Sequence, residues 1–163
     1  MAASSPPGDA PAGGLVARLQ RLSLSDVAAL IESLALLALS AAAIRVLPFA
    51  TVGRLASLPL GRARSCGDEA LVRKVAWAVI ACSRRAPWRS VCFQQGLAAQ
   101  VMLRRRGVDA TLYYGAAPDK TRGLSAHVWV RAGRREVVGC DAAEGFAVLA
   151  TFPDRRGGAE GVR

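Results

Sequence analysis

The pattern of apolar and polar positions in the first half of the chain predicts three helices, separated by breaks at proline and glycine. Ser23 or Ser25 can cap the first helix, which is predicted to span residues 27–47 because Pro48 stops it. A short second helix is predicted over residues 52–58. A longer, amphipathic third helix with an acidic first turn is predicted over residues 68–80.

In the second half of the chain the pattern changes from helical to strand-like. Apolar residues at helical spacing predict a central helix over residues 90–106, with Ser90 as its N-cap and Gly107 ending it. Beyond Gly107, four strands are predicted, over residues 110–115, 125–131, 135–139 and 146–152. Helices followed by hairpin-linked strands predict an α+β fold in which the central helix packs on a small antiparallel sheet.

The same pattern predicts how the chain is organised. Proline and glycine enrichment predicts a disordered tail over residues 1–20, and residues 156–163 are predicted to form a second one. Between the tails we expect an N-terminal helical region over residues 21–60 and a core domain over residues 61–155.

The helix predicted over residues 27–47 has two interpretations. Its uninterrupted apolar run lies between Glu32 and Arg45, and is shorter than the roughly 18–20 residues that a membrane span needs. The run therefore favours a helix that is buried or docked on a partner, and leaves attachment to a membrane surface open as the less favoured alternative.

Composition indicates a globular protein with a basic surface. Of 163 residues, 52% are hydrophobic, which is enough for a core, and the net charge of +10 favours acidic partners. No basic stripe is interleaved with aromatic residues, so we expect no nucleic-acid binding. The N-terminus lacks the pattern of a secretory signal, which predicts a cytoplasmic location and reduced thiols.

The residues that could bind a metal or cofactor form no known pattern. The chain has one histidine and four cysteines with no C-x-x-C pair, so we predict no metal site. Neither a P-loop nor a G-x-G-x-x-G fingerprint is present, and no cofactor is expected.

Cys92 and His127 are the candidate catalytic residues of this sequence. Cys92 is predicted in the first turn of the central helix, where the helix dipole favours a thiolate and free backbone N–H groups can hold an oxyanion. His127, the single histidine, is predicted on a later strand, where it could be the base for a cysteine nucleophile. Alone, each residue could be structural; together they predict a catalytic pair.

An acid that orients His127 would complete a triad. A tight turn after residue 131 would place His127 opposite residues 138–141, so Asp141 is the first carboxylate within reach, with Glu144 as the alternate. Trp88 and Gln94 flank Cys92 and could line the substrate pocket or donate to an oxyanion. The other cysteines, Cys66, Cys82 and Cys140, are interpreted as structural.

With these residues in place, the chain resembles the lasso-peptide leader peptidases, the transglutaminase-like B proteins of lasso-peptide gene clusters. The likeness extends over roughly residues 20–153. It is carried by SVCFQQGLAAQVMLRRRG at 90–107, AHVWV at 126–130, LATFP at 149–153 and RVLPF at 45–49.

The resemblance implies a papain/transglutaminase-like cysteine-peptidase fold and a Cys-His-Asp triad. By correspondence of motifs, the triad consists of Cys92, His127 and Asp141, and the motif defines the position of the acid to within one or two residues. The resemblance also implies removal of the leader from a ribosomally made precursor peptide. A macrolactam-forming cyclase then acts on the released core.

The partners that the resemblance implies are the precursor peptide, that cyclase and a separate leader-recognition protein, because the N-terminal part has no room for a recognition domain. Two alternatives stay open. One is an acyltransferase of the same fold that passes the thioester to an amine, and the other is a non-enzymatic adaptor that docks through the helix at 27–47.

Overall fold

The computed structural model describes residues 22–58, 60, 68–121 and 123–154. The two predicted disordered tails and Cys66 lie outside the described residues. The described helices are α1 (Leu24–Val46), α2 (Phe49–Ser57), α3 (Glu69–Ser83) and α4 (Cys92–Arg105). The described strands are β1 (Ala110–Asp119), β2 (Gly123–Ala132), β3 (Arg135–Val138) and β4 (Ala147–Phe152).

The strands form one antiparallel sheet in the order β3-β2-β1-β4. Helix α4 packs on β1 and β2, and α1 and α3 pack on α4 and on each other. The predicted α+β fold, with a central cysteine-bearing helix on a small antiparallel sheet, is confirmed.

Strand β1 is longer than the predicted strand over residues 110–115. Residues 116–119 continue the hairpin: Ala116 pairs with Ala126, and Asp119 pairs with Gly123.

Helix α1 is attached to α3 at its first turn. The Ser23 hydroxyl accepts a hydrogen bond from the Asp26 amide, and the Asp26 carboxylate accepts one from the Ser23 amide, which forms a capping box. Lys74 of α3 lies 2.8 Å from the same carboxylate. The hydrogen bond from Lys74, followed by those from Ser23, lowers the pKa of Asp26 from 3.8 to about 2.

Helix α4 begins at Cys92, with Val91 as its N-cap and no capping side chain. The prediction that Ser90 caps this helix is wrong, because Ser90 lies one residue too early and its hydroxyl is buried without a hydrogen-bond partner. Gly96 brings α4 against the sheet, since a Cβ there would lie 2.7 Å from a methyl group of Val128 and 3.2 Å from one of Leu112.

Candidate active site

Cys92 is the first residue of α4 and is half-buried. No side chain caps this end of the helix, and the Gln94 and Gln95 backbone amides both donate to the Val91 carbonyl. Among the described residues, this leaves the N–H groups of Cys92 and Phe93 for another acceptor. A thiol at this position is therefore next to donors that can bind an oxyanion.

The His127 ring is fixed by a backbone carbonyl. Its Nε2 lies 2.7 Å from the carbonyl oxygen of Gly139. A carbonyl only accepts hydrogen bonds, so Nε2 carries the proton and Nδ1 of the neutral ring is left as the basic nitrogen. The ring also lies beside Trp129 and Phe146, with centroid distances of 6.1 Å and 5.3 Å. Contacts with the Gly139 carbonyl, Trp129 and Phe146 thus fix the orientation of the His127 ring.

One cavity of about 320 Å³ brings Cys92 and His127 together. It lies between the end of α3, the start of α4 and the outer edge of the sheet. Its lining consists of Ile80 and Ser83 from α3, Arg84 at the C-cap of α3, Cys92 and Gln95 from α4, and His127, Val128, Val138, Gly139 and Asp141 from the sheet and the turn after it. Among the described residues, no hydrogen bond joins the Cys92 thiol to the His127 ring, so the two side chains share the cavity without a direct bond.

Asp141 also lines this cavity, but it does not contact the His127 ring through a hydrogen bond in the described part of the chain. The register explains why. Val130 pairs with Val138, so a continued strand would place Asp141 opposite His127. Gly139 adopts a left-handed conformation that ends β3, and a 3₁₀ turn at Cys140–Ala142 follows. Asp141 is therefore exposed at the cavity wall, and its place in a triad stays a prediction. The alternate, Glu144, is exposed and lies outside the residues that line the cavity.

The sequence pointed to Trp88 and Gln94 beside Cys92, and the structure places neither in the cavity lining. The Trp88 Nε1 and the Gln94 Oε1 are buried without a hydrogen-bond partner. Gln95, one residue further along α4, does line the cavity, and its side-chain amide donates a hydrogen bond to the Ser90 carbonyl. The helical period was the signal that could have found it: Gln95 lies three residues from Cys92, on the same side of α4.

The other two described cysteines have structural partners. The Cys140 thiol donates to the Val130 carbonyl, and burial raises the pKa of this thiol above its usual value. The Cys82 thiol donates to the Leu30 carbonyl. Neither lines the cavity, which leaves Cys92 as the nucleophile candidate among the described cysteines. No cluster of three or more metal-ligating side chains occurs in the described ranges.

A larger cavity of about 670 Å³ lies between α2 and β4. Aromatic and aliphatic side chains, among them Phe49, Leu149 and Phe152, form its walls. No cysteine or histidine is among its lining residues, so the chemistry belongs to the smaller cavity.

Residues 33–151 match the family model described as the transglutaminase-like superfamily, a range that includes Cys92, His127 and Asp141. No curated protein and no solved structure shows significant similarity to the chain.

Proposed function

The chain belongs to the transglutaminase-like superfamily, and we propose that within it this protein is a cysteine peptidase that removes the leader from a lasso-peptide precursor. The superfamily includes both cysteine peptidases and acyltransferases. The observation that carries the cysteine chemistry is the shared cavity of Cys92 and His127, with the His127 Nε2 held by the Gly139 carbonyl. The choice of a lasso-peptide precursor as the substrate rests on the sequence resemblance.

The proposed reaction starts with proton transfer from the Cys92 thiol to Nδ1 of His127, the nitrogen that the Gly139 contact leaves free. The sulfur attacks the carbonyl carbon at the leader–core junction, and the uncapped amides at the start of α4 bind the resulting oxyanion. The imidazolium then protonates the leaving amine, the new N-terminus of the core peptide. Water, deprotonated by His127, hydrolyses the thioester and frees the leader and the thiol.

The net charge of the chain supports an acidic substrate. The cavity that holds Cys92 and His127 carries one exposed charge of each sign, Arg84 and Asp141. The whole chain, in contrast, carries a net charge of +10. This positive charge attracts acidic peptides and raises their rate of encounter. The leader, or the separate recognition protein that presents it, is proposed to supply this acidic surface, and the cyclase receives the core peptide.

Product analysis in water enriched in heavy oxygen tests the proposal and separates it from acyl transfer. The precursor peptide is incubated with this protein and the proposed recognition protein, and the products are identified by mass spectrometry. A peptidase releases the leader with one heavy oxygen in its new C-terminal carboxyl group. A leader joined to an amine would instead assign the protein as an acyltransferase, and an unchanged precursor would contradict both.

Asp141 is proposed as the acid that supports His127, and its effect is expected to be moderate. The Gly139 carbonyl already holds Nε2, so Asp141 can act only through its charge on the imidazolium. We expect Asp141→Asn to lower kcat/KM about 10-fold, equivalent to about 1.4 kcal/mol. Steady-state kinetics on the precursor measure this effect, with Glu144→Gln as the matched control that leaves the rate unchanged. A loss as large as that of removing His127 would show that Asp141, and not the carbonyl, orients the ring.

A further inference from the structure

Helix α1 is apolar on its exposed side as well as on its buried side. Its buried residues are Ala29, Ser33, Leu37 and Ser40, and Leu30, Leu36 and Ile44 pack against the core with part of their surface buried. Its exposed residues between the first turn and the last are all apolar and recur every three or four positions, and we name them the α1 stripe: Val27, Ala28, Ile31, Leu34, Ala35, Ala38, Leu39 and Ala42. Ile31 and Leu39 are each 65% exposed. Four larger apolar side chains, those of Val27, Ile31, Leu34 and Leu39, are thus exposed along one side of α1, and a contiguous apolar patch of this kind marks an interaction site.

The two carboxylates of α1 are not among the stripe residues. Asp26 forms an ion pair with Lys74 of α3, and Glu32 forms ion pairs with Arg105, the last residue of α4, and with Arg106, which follows it. Both carboxylates are thus neutralised, and the two arginines at Glu32 leave one positive charge in excess. Arg45 adds an exposed positive charge at the C-terminal end of α1.

We infer that the α1 stripe docks this protein on an anionic membrane surface, with α1 lying in the plane of the lipid headgroups. Helix α1 is the one helix in the described ranges that is long and apolar enough to cross a membrane, at 23 residues. Its packing on both α3 and α4 holds it flat against the domain, which suits an interfacial position.

Three observations favour lipid over a protein partner. The stripe offers no side-chain hydrogen-bond donor or acceptor over its eight residues, whereas protein interfaces carry about one hydrogen bond per 100–200 Å². Lipid chains require none. The net charge of +10, the one positive charge in excess at the Glu32 ion pairs and the exposed Arg45 at the end of α1 complement anionic headgroups. Trp77 of α3 is 42% exposed and supplies an indole of the type that collects at the headgroup level.

Vesicle flotation of the full chain tests the inference. The probes are vesicles of phosphatidylethanolamine and phosphatidylglycerol, and vesicles of phosphatidylcholine alone. We expect the wild type to float with the anionic vesicles at low salt and to bind them less as salt is added. The double variant Ile31→Gln/Leu39→Gln should bind at least about 10-fold more weakly, because it removes the two most exposed side chains of the stripe's centre. Leu124→Gln is the matched control, since Leu124 is also 65% exposed but lies on β2.

Other results would overturn the inference. One is that the wild type does not float with the vesicles, and another is that the stripe variant and the Leu124 variant float equally. A third is that light scattering shows a dimer for the wild type and a monomer for the double variant. The last result would assign the stripe to contact between two copies of the chain. Because the stripe excludes Cys92 and His127, a Cys92→Ala variant should float like the wild type, so the outcome is independent of the proposed peptidase activity.

Discussion

Replacement of Cys92 by alanine is expected to lower the rate of leader removal by about 10³-fold or more. Without the sulfur no thioester can form, and only binding and the oxyanion donors remain. Replacement of His127 by alanine should lower the rate to a similar extent, because no other histidine exists in the chain to take the proton. The combined variant should be little worse than either alone, since the two residues act as a unit. Leader release is measured by chromatography of timed samples.

The control for this prediction is Cys82→Ala, which removes another half-buried free thiol of the same chain. Cys82 donates to the Leu30 carbonyl and lies outside the cavity, so this variant should keep its activity and lose a little stability. Circular dichroism and thermal unfolding establish that all variants fold. Activity of Cys92→Ala within a factor of ten of the wild type would remove the thiol from the mechanism.

Substitution of Gly139 by alanine is expected to have the second largest effect, because it alters both the backbone and the base. Gly139 has φ of +73°, a conformation that costs an L-residue about 1–2 kcal/mol. The added methyl group would lie 2.6 Å from the Val128 carbonyl oxygen and 3.3 Å from the His127 Nε2. The carbonyl that orients the ring must therefore move. We expect kcat/KM to fall about 10²-fold, the usual cost of misplacing a catalytic group by about 1 Å.

Gly123→Ala separates misplacement of the base from backbone strain. Gly123 has φ of +75°, but nothing lies within 4 Å of a Cβ built on it. Both variants should lose stability by thermal unfolding, and only Gly139→Ala should lose activity. Equal kcat/KM values for the two variants would show that the Gly139 carbonyl does not position His127.

The elements that position the candidate site could be predicted from sequence because each has a local signal. Helix α4 follows from the apolar period and Gly107, and strand β2 from the alternation around His127. The contacts that orient His127 could not be predicted from the sequence. Gly139 ends β3 in a left-handed conformation, and this removes Asp141 from the predicted register. Glycine permits this conformation without requiring it, so only the packed structure shows where the strand stops.

For helix α1, the sequence does not show which side of the helix is buried. Its apolar composition is plain in the sequence, but a helix that is apolar on every face does not indicate which face is buried. Packing on α3 and α4 buries the side with Ala29, Ser33, Leu37 and Ser40. The exposed stripe thus became visible only once the neighbours of α1 were known.

The measurement that tests the central claim most directly is the intact mass of the protein after rapid acid quench during turnover of the precursor peptide. A thioester intermediate predicts a species heavier by the leader less one water, and fragmentation of the digested protein should locate the acyl group on Cys92. An acyl group on another residue, or leader release without any covalent species by a Cys92→Ala variant, would contradict a Cys92 nucleophile.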